Sequence, residues 1–215
     1  MRSKTVRSVG WLISAALPMA AYGAAIAQEE FEAVLRGKPD IVHGEQLFAS
    51  CAACHGPDGG GVSDGIVPAI AGQHYRVVAR ELVDYRHDKR WDVRMEHHAD
   101  DHNLGDTQDL VDVAAYISSM TPARTGGVGD GEFTEYGARV YARSCASCHG
   151  AAAEGDNRVS YPRLAGQHYE YLLRQMHDAV EGRRPNFPRE HIRLFKHFER
   201  ADFMGVADYL SRLNP

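Results

Sequence analysis

The chain has no cysteine to spare. Its 215 residues contain four, Cys51, Cys54, Cys145 and Cys148, and every one belongs to a Cys-x-x-Cys-His motif. The two disulfides that four cysteines in an exported chain would ordinarily suggest are therefore not expected. Long apolar runs are also missing. The one N-terminal run, residues 9–21, is broken by Pro18 and falls short of the ~20 residues that a membrane-spanning helix needs. Arg2, Lys4 and Arg7 precede it and Ala25-Ile26-Ala27 follows, so residues 1–27 read as a secretory signal peptide cut before Gln28, leaving no membrane span. Basic charge is scarce as well. Lys and Arg number 24 against 29 Asp and Glu, and loss of the three leader cations leaves 21 against 29, a net charge of −8. That balance argues against nucleic acid or an anionic membrane as the main partner and favours a partner with a basic docking patch. Alternating strand patterns of useful length are absent, and the expected fold class is all-α.

What is present is one pattern written twice. A slide of 94 positions superposes Cys51, Cys54, His55 and Gly56 on Cys145, Cys148, His149 and Gly150. The same slide carries Pro68 onto Pro162 and Ala71-Gly72-Gln73-His74-Tyr75 onto Ala165-Gly166-Gln167-His168-Tyr169. With a shift of one, Asp109, Val113, Ala114 and Tyr116 fall on Asp202, Val206, Ala207 and Tyr209. A tandem duplication fixes the domain count at two. The first domain spans residues 28–120 and the second 132–215. Residues 121–131, rich in Gly with a Pro, form the linker. Helical periodicity marks residues 44–50, 75–86 and 108–119 in the first copy, and 136–144, 169–181 and 201–213 in the second. A copy of about 90 residues has a small core, which a bound cofactor would complete.

Two cysteines three positions apart share one face of a helical turn. Both sulfurs reach one edge of a porphyrin, and the next residue swings its imidazole beneath the iron. A thioredoxin-like dithiol would need a βαβ setting, and a four-cysteine zinc site would need no histidine after each pair. The motifs therefore point to two covalently bound haem c groups, with His55 and His149 as proximal ligands. A proximal imidazole usually donates its second N–H to a fixed acceptor. The carbonyls of Pro68 and Pro162, thirteen residues on, are candidates, and loop breaking is the alternative role of these prolines.

These motifs, with the Pro-x-(Ile/Leu)-Ala-Gly-Gln-His-Tyr segments and the Asp-x-x-x-Val-Ala-x-Tyr helices, resemble the cytochrome c4 family over nearly the whole mature chain. The resemblance implies two tandem class I cytochrome c domains in the bacterial periplasm, related by a pseudo-twofold. It also implies electron transfer to a terminal oxidase or other acceptor, and methionine as the sixth ligand of each iron. The second domain departs from this, because the segment between its long helix and its last helix holds His191 and His197 but no methionine. Met176 and Met204 sit on the flanking helices at core spacing. His191 is the expected distal ligand there, with His197 next. In the first domain Met95, His97, His98 and His102 all fall in the corresponding segment. The 94-residue slide pairs His191 with His97, which is preferred over Met95, two residues early.

Two six-coordinate haems leave no open position for a substrate, so the reading is an electron carrier and not an enzyme, with redox proteins as donor and acceptor. The electron-accepting subunit of a periplasmic dehydrogenase is the main alternative, and a ligand-binding or sensing haem protein the second. His74 and His168 are expected to pack or hydrogen-bond. Most of Arg86, Arg90, Arg183 and Arg184 are expected to be solvated surface charge.

Overall fold

A computed structural model describes residues 19–122 and 127–215, with side chains from residue 23 onward. The first eighteen residues of the expected signal peptide, and residues 123–126 of the expected linker, lie outside the described residues. The N-terminal half is α1 (Met19–Arg36), α2 (Ile41–His55), α3 (Tyr75–Arg86), α4 (Val93–Ala99) and α5 (Thr107–Ser119). The C-terminal half is α6 (Thr134–Ser144), α7 (Ala146–His149), α8 (Tyr169–Val180), α9 (Arg189–Phe195) and α10 (Arg200–Arg212). Among the described residues there is no strand, only an isolated bridge between Asp156 and Tyr161.

Each half has its own core. Phe48, Leu82, Leu110 and Val113 belong to the first, and Tyr141, Leu172, Phe203 and Val206 to the second. In both, the helix leading to the haem motif crosses the last helix, and a glycine sits at the crossing. A Cβ on Gly44 would collide with the Asp112 carbonyl of α5, and one on Gly137 with the Gly205 carbonyl of α10. The helices start where short polar side chains satisfy their free N–H groups. Asp40 accepts from Val42 and His43, and Asp106 accepts from Gln108 and Asp109. Helix α10 carries a capping box between Glu199 and Asp202. Helix α1 has no counterpart in the second half. It runs unbroken through the expected cleavage point, burying Phe31 and Val34 after it and Ala27 before it. No described helix is long and apolar enough to cross a membrane.

The arginine expectation fails for three of four. Arg90 is buried and pairs with Glu81 at 2.6 Å, Arg184 reaches the same carboxylate from the other domain at 2.6 Å, and Arg86 pairs with Glu30 at 2.8 Å. Arg183 alone is mainly solvated, beside Asp178 and Glu181. Sequence periodicity sees an arginine at a helix end as free, because no local spacing marks its carboxylate partner, which here stands 9, 56 or 103 residues away.

The repeated Gly-Gln-His-Tyr segments meet at the domain interface. Gln73 and Gln167 each clamp a backbone segment of the opposite domain, and His74 and His168 bond the carbonyls of Glu154 and Gly60 at 2.8 and 2.9 Å. The pseudo-twofold is thus built from the duplicated sequence itself.

Candidate haem sites

Helix α2 ends on His55, and the next residue, Gly56, takes φ 77°, a left-handed turn that most side chains resist. Gly150 does the same at φ 84° after His149 of α7. Both imidazoles are thereby held inward, with 5% and 6% of their surface exposed. His55 Nδ1 lies 2.9 Å from the Pro68 carbonyl, and His149 Nδ1 lies 3.2 Å from that of Pro162. A carbonyl only accepts, so each Nδ1 carries the proton and each Nε2 presents a lone pair. Burial pulls both imidazoles below their ordinary range, against the raising effect of the carbonyls, and keeps them neutral. Cys51 and Cys145 are half-buried, while Cys54 and Cys148 are exposed, and none is in a disulfide. Burial pushes the Cys51 thiol up, and the Cys145 thiol up to about 11.

Opposite His149, α9 brings His191 to an Nε2–Nε2 distance of 3.5 Å. Its ring is wedged between Phe187 and Phe195, with centroids 5.2 and 5.8 Å away. Burial, helped by His149 and Arg184, pushes its pKa down to about 4, so the ring is neutral at any physiological pH. Two neutral imidazoles facing each other fit a metal gripped from both sides, since two metal–imidazole bonds of about 2 Å span nearly that separation. His197 is exposed beyond the end of α9, and Met176 is a core residue of α8.

The first domain departs from the 94-residue slide. Helices α3 and α8 are offset by 94 residues at both ends, but α4 and α9 by 96, and α5 and α10 by 93. The second domain has two more residues before α9 than the first has before α4, and three fewer after it. With this offset the third residue of α9, His191, corresponds to Met95, and the buried last residue, Phe195, to buried Ala99. His97, preferred from the slide, points away. Its side chain is 67% exposed and lies 3.5 Å from Asp100. Constant spacing selected it because an unseen length change falls in the two flanking loops. Met95 packs on the first domain's core. His98, one turn further on the same helix, has its Nδ1 buried without a partner. His102 is exposed beside Asp101.

The sequence reading passed over Gln73 and Gln167 as site residues. Their repetition was visible, but a clamp on the far domain's backbone has no signature in spacing.

The family model for cytochrome c matches residues 41–121 and 134–214. Cytochrome c4 of Azotobacter vinelandii is 34% identical over 164 residues, covering 68% of this chain and 75% of that protein. A protein of Stutzerimonas stutzeri named a thiosulfate dehydrogenase electron acceptor is 31% identical over 177 residues, covering 76% and 79%. The crystal structure of reduced recombinant cytochrome c4 from Pseudomonas stutzeri superposes with a TM-score of 0.73 at 27% identity, covering 82% of this chain and all of that one. The chain therefore belongs to the cytochrome c4 family, dihaem electron carriers with one haem c in each of two cytochrome c domains.

Proposed function

We propose that this carrier works in the periplasm after cleavage before Gln28, and that unlike pairs of residues would hold its two irons. Thioether bonds from Cys51 and Cys54, and from Cys145 and Cys148, hold the two groups. His55 with Met95 would ligate the first, and His149 with His191 the second. The 3.5 Å approach of His149 and His191 carries this reading, and the helix offset that pairs Met95 with His191 supports its other half. Bound haem supplies a one-electron couple, and a methionine ligand raises its potential relative to a histidine. The asymmetry makes transfer from the second domain to the first downhill. The donor then docks on the second domain and the acceptor on the first. Likeness to thiosulfate dehydrogenase electron acceptors favours a sulfur-compound dehydrogenase as donor, and the net acidity favours basic patches on both partners.

The test is the far-red charge-transfer band that methionine sulfur gives with ferric haem. The oxidised protein is expected to show the intensity of one haem. Met95→Leu should abolish the band and His191→Met should double it. Two haems' worth in the wild type would overturn the His191 assignment. A missing band would favour the second reading, His98 on the first iron, whose buried and unpartnered Nδ1 recommends it. Stoichiometric carbon monoxide binding by the reduced protein would instead favour a ligand-sensing role.

A further inference from the structure

Each proximal histidine hydrogen-bonds to a peptide group that the other domain holds at its far end. The Pro68 carbonyl accepts from His55 Nδ1 at 2.9 Å. The N–H of the same peptide unit, on Ala69, donates to Oε1 of Gln167 at 3.1 Å, while Gln167 Nε2 donates to the Ala69 carbonyl at 2.8 Å. The pattern repeats across the pseudo-twofold. His149 Nδ1 donates to the Pro162 carbonyl at 3.2 Å. The Arg163 N–H donates to Oε1 of Gln73 at 2.9 Å, and Gln73 Nε2 donates to the Arg163 carbonyl at 2.9 Å. The two amide oxygens are themselves fixed, accepting from the His168 and His74 N–H groups at 3.0 and 2.9 Å.

We infer that Gln167 and Gln73 are positioning residues acting across the interface, Gln167 tuning the haem of the first domain and Gln73 that of the second. The chain of bonds runs imidazole to peptide to amide, and hydrogen bonds in series polarise one another. When Ala69 N–H donates to Gln167, electron density in that peptide moves to the Pro68 oxygen, which becomes the stronger acceptor. His55 then gains imidazolate character, donates more strongly to iron and favours the ferric state. Neither glutamine needs to touch its haem, and neither acts chiefly on the haem of its own domain. Separation of the domains would release both clamps, so each potential depends on the docked state of the other half. The inference rests on His55 and His149 being the proximal ligands, and not on which residues occupy the distal positions.

The experiment measures both midpoint potentials in the holoprotein, with Gln167→Leu and Gln73→Leu compared with the wild type. Gln167→Leu is expected to raise the first domain's potential enough to change electron partition between the haems about twofold, ~18 mV at 59 mV per tenfold, and to leave the second within a smaller shift. Gln73→Leu should do the reverse. If a leucine variant does not assemble, Gln167→Glu keeps an acceptor for Ala69 N–H with added negative charge and should shift the same haem downward. Equal shifts in both haems, shifts confined to the variant's own domain, or no shift would overturn the inference. His55→Ala and His149→Ala keep the two failures apart. If either variant retains both low-spin haem spectra, the proximal assignment is wrong. If each loses one, a null result in the glutamine variants counts against the clamp alone.

Discussion

Glu81 is expected to be the most sensitive single position for keeping the two domains together. Its two oxygens are divided between the domains, Oε2 to Arg90 and Oε1 to Arg184, both at 2.6 Å. Asn186, also of the second domain, adds a bond to Oε2 at 3.3 Å and one to Asp84 at 2.8 Å. Burial alone would raise this carboxyl, but Arg184 and Arg90 outweigh it and hold the pKa at about 2 from an ordinary 4.5. That displacement corresponds to about 3 kcal/mol, close to the ~3–5 kcal/mol expected when one member of a buried ion pair is removed. Glu81→Gln turns an amide nitrogen toward one of two guanidiniums. Arg90 keeps Tyr171 and Gln175, and Arg184 keeps Gln175, so the loss is set at about 3 kcal/mol. Calorimetry of the holoprotein at pH 7 should show a midpoint lower by about 6–12 °C for a chain of this size, with the single transition splitting into two as the domains uncouple. A depressed carboxylate pKa stabilises above the unfolded value and loses that contribution as pH falls through the folded one. The gap between wild type and variant should therefore begin to close below pH 4.5 and vanish near 2. A difference under ~1 kcal/mol at pH 7, or one that widens between pH 4.5 and 3, would refute the reasoning.

Gly137→Ala puts a methyl group into the Gly205 carbonyl and should cost the second domain ~1–3 kcal/mol by overpacking, read as an earlier loss of second-domain haem environment on denaturation. His191→Leu should leave the second iron with an open position, giving a high-spin spectrum and carbon monoxide binding at one equivalent, while a low-spin spectrum would reject His191 as ligand. The Asp112 hydrogen bond raises the His43 pKa. Its contribution is complete below the ordinary imidazole value of about 6.5 and is lost as pH rises through the folded value. His43→Leu should therefore flatten the fall in first-domain stability that begins as pH rises above about 6.5, and an unchanged pH profile would count against the pair.

Much of the fold was legible because the core helices obey simple rules. Periodicity placed α3 at residues 75–86, and α5, α8 and α10 within one residue at each end. The proximal site was legible because Cys-x-x-Cys-His is local, and so was the candidacy of the Pro68 and Pro162 carbonyls, thirteen residues downstream. The distal site was harder to read. Helices α4 and α9 are seven residues each, too short for an apolar stripe to stand out, and the length changes flanking them mislead any fixed slide. His191 lies 3.5 Å from His149, Nε2 to Nε2, whereas the choice of His97 depended on the slide alone. The pairing of Arg184 with Glu81 was unreadable because the two stand 103 residues apart in sequence.

The duplication has been conserved within the molecule and relaxed in different places, and the pattern of change has a physical logic. Gln73 and Gln167 are kept in both copies, each serving the other copy's backbone, while elsewhere on the same interface the copies differ, Glu81 standing where the second has Gln175. On the proposed ligation, α4 and α9 would each serve the haem of their own domain. Loops of different length before and after α4 and α9 put Met95 where the second domain has His191, while both proximal histidines keep their proline carbonyls. On the proposed ligation, such local substitution would separate the potentials of the two centres while the interface bonds still join the domains. That separation gives two otherwise interchangeable domains a direction.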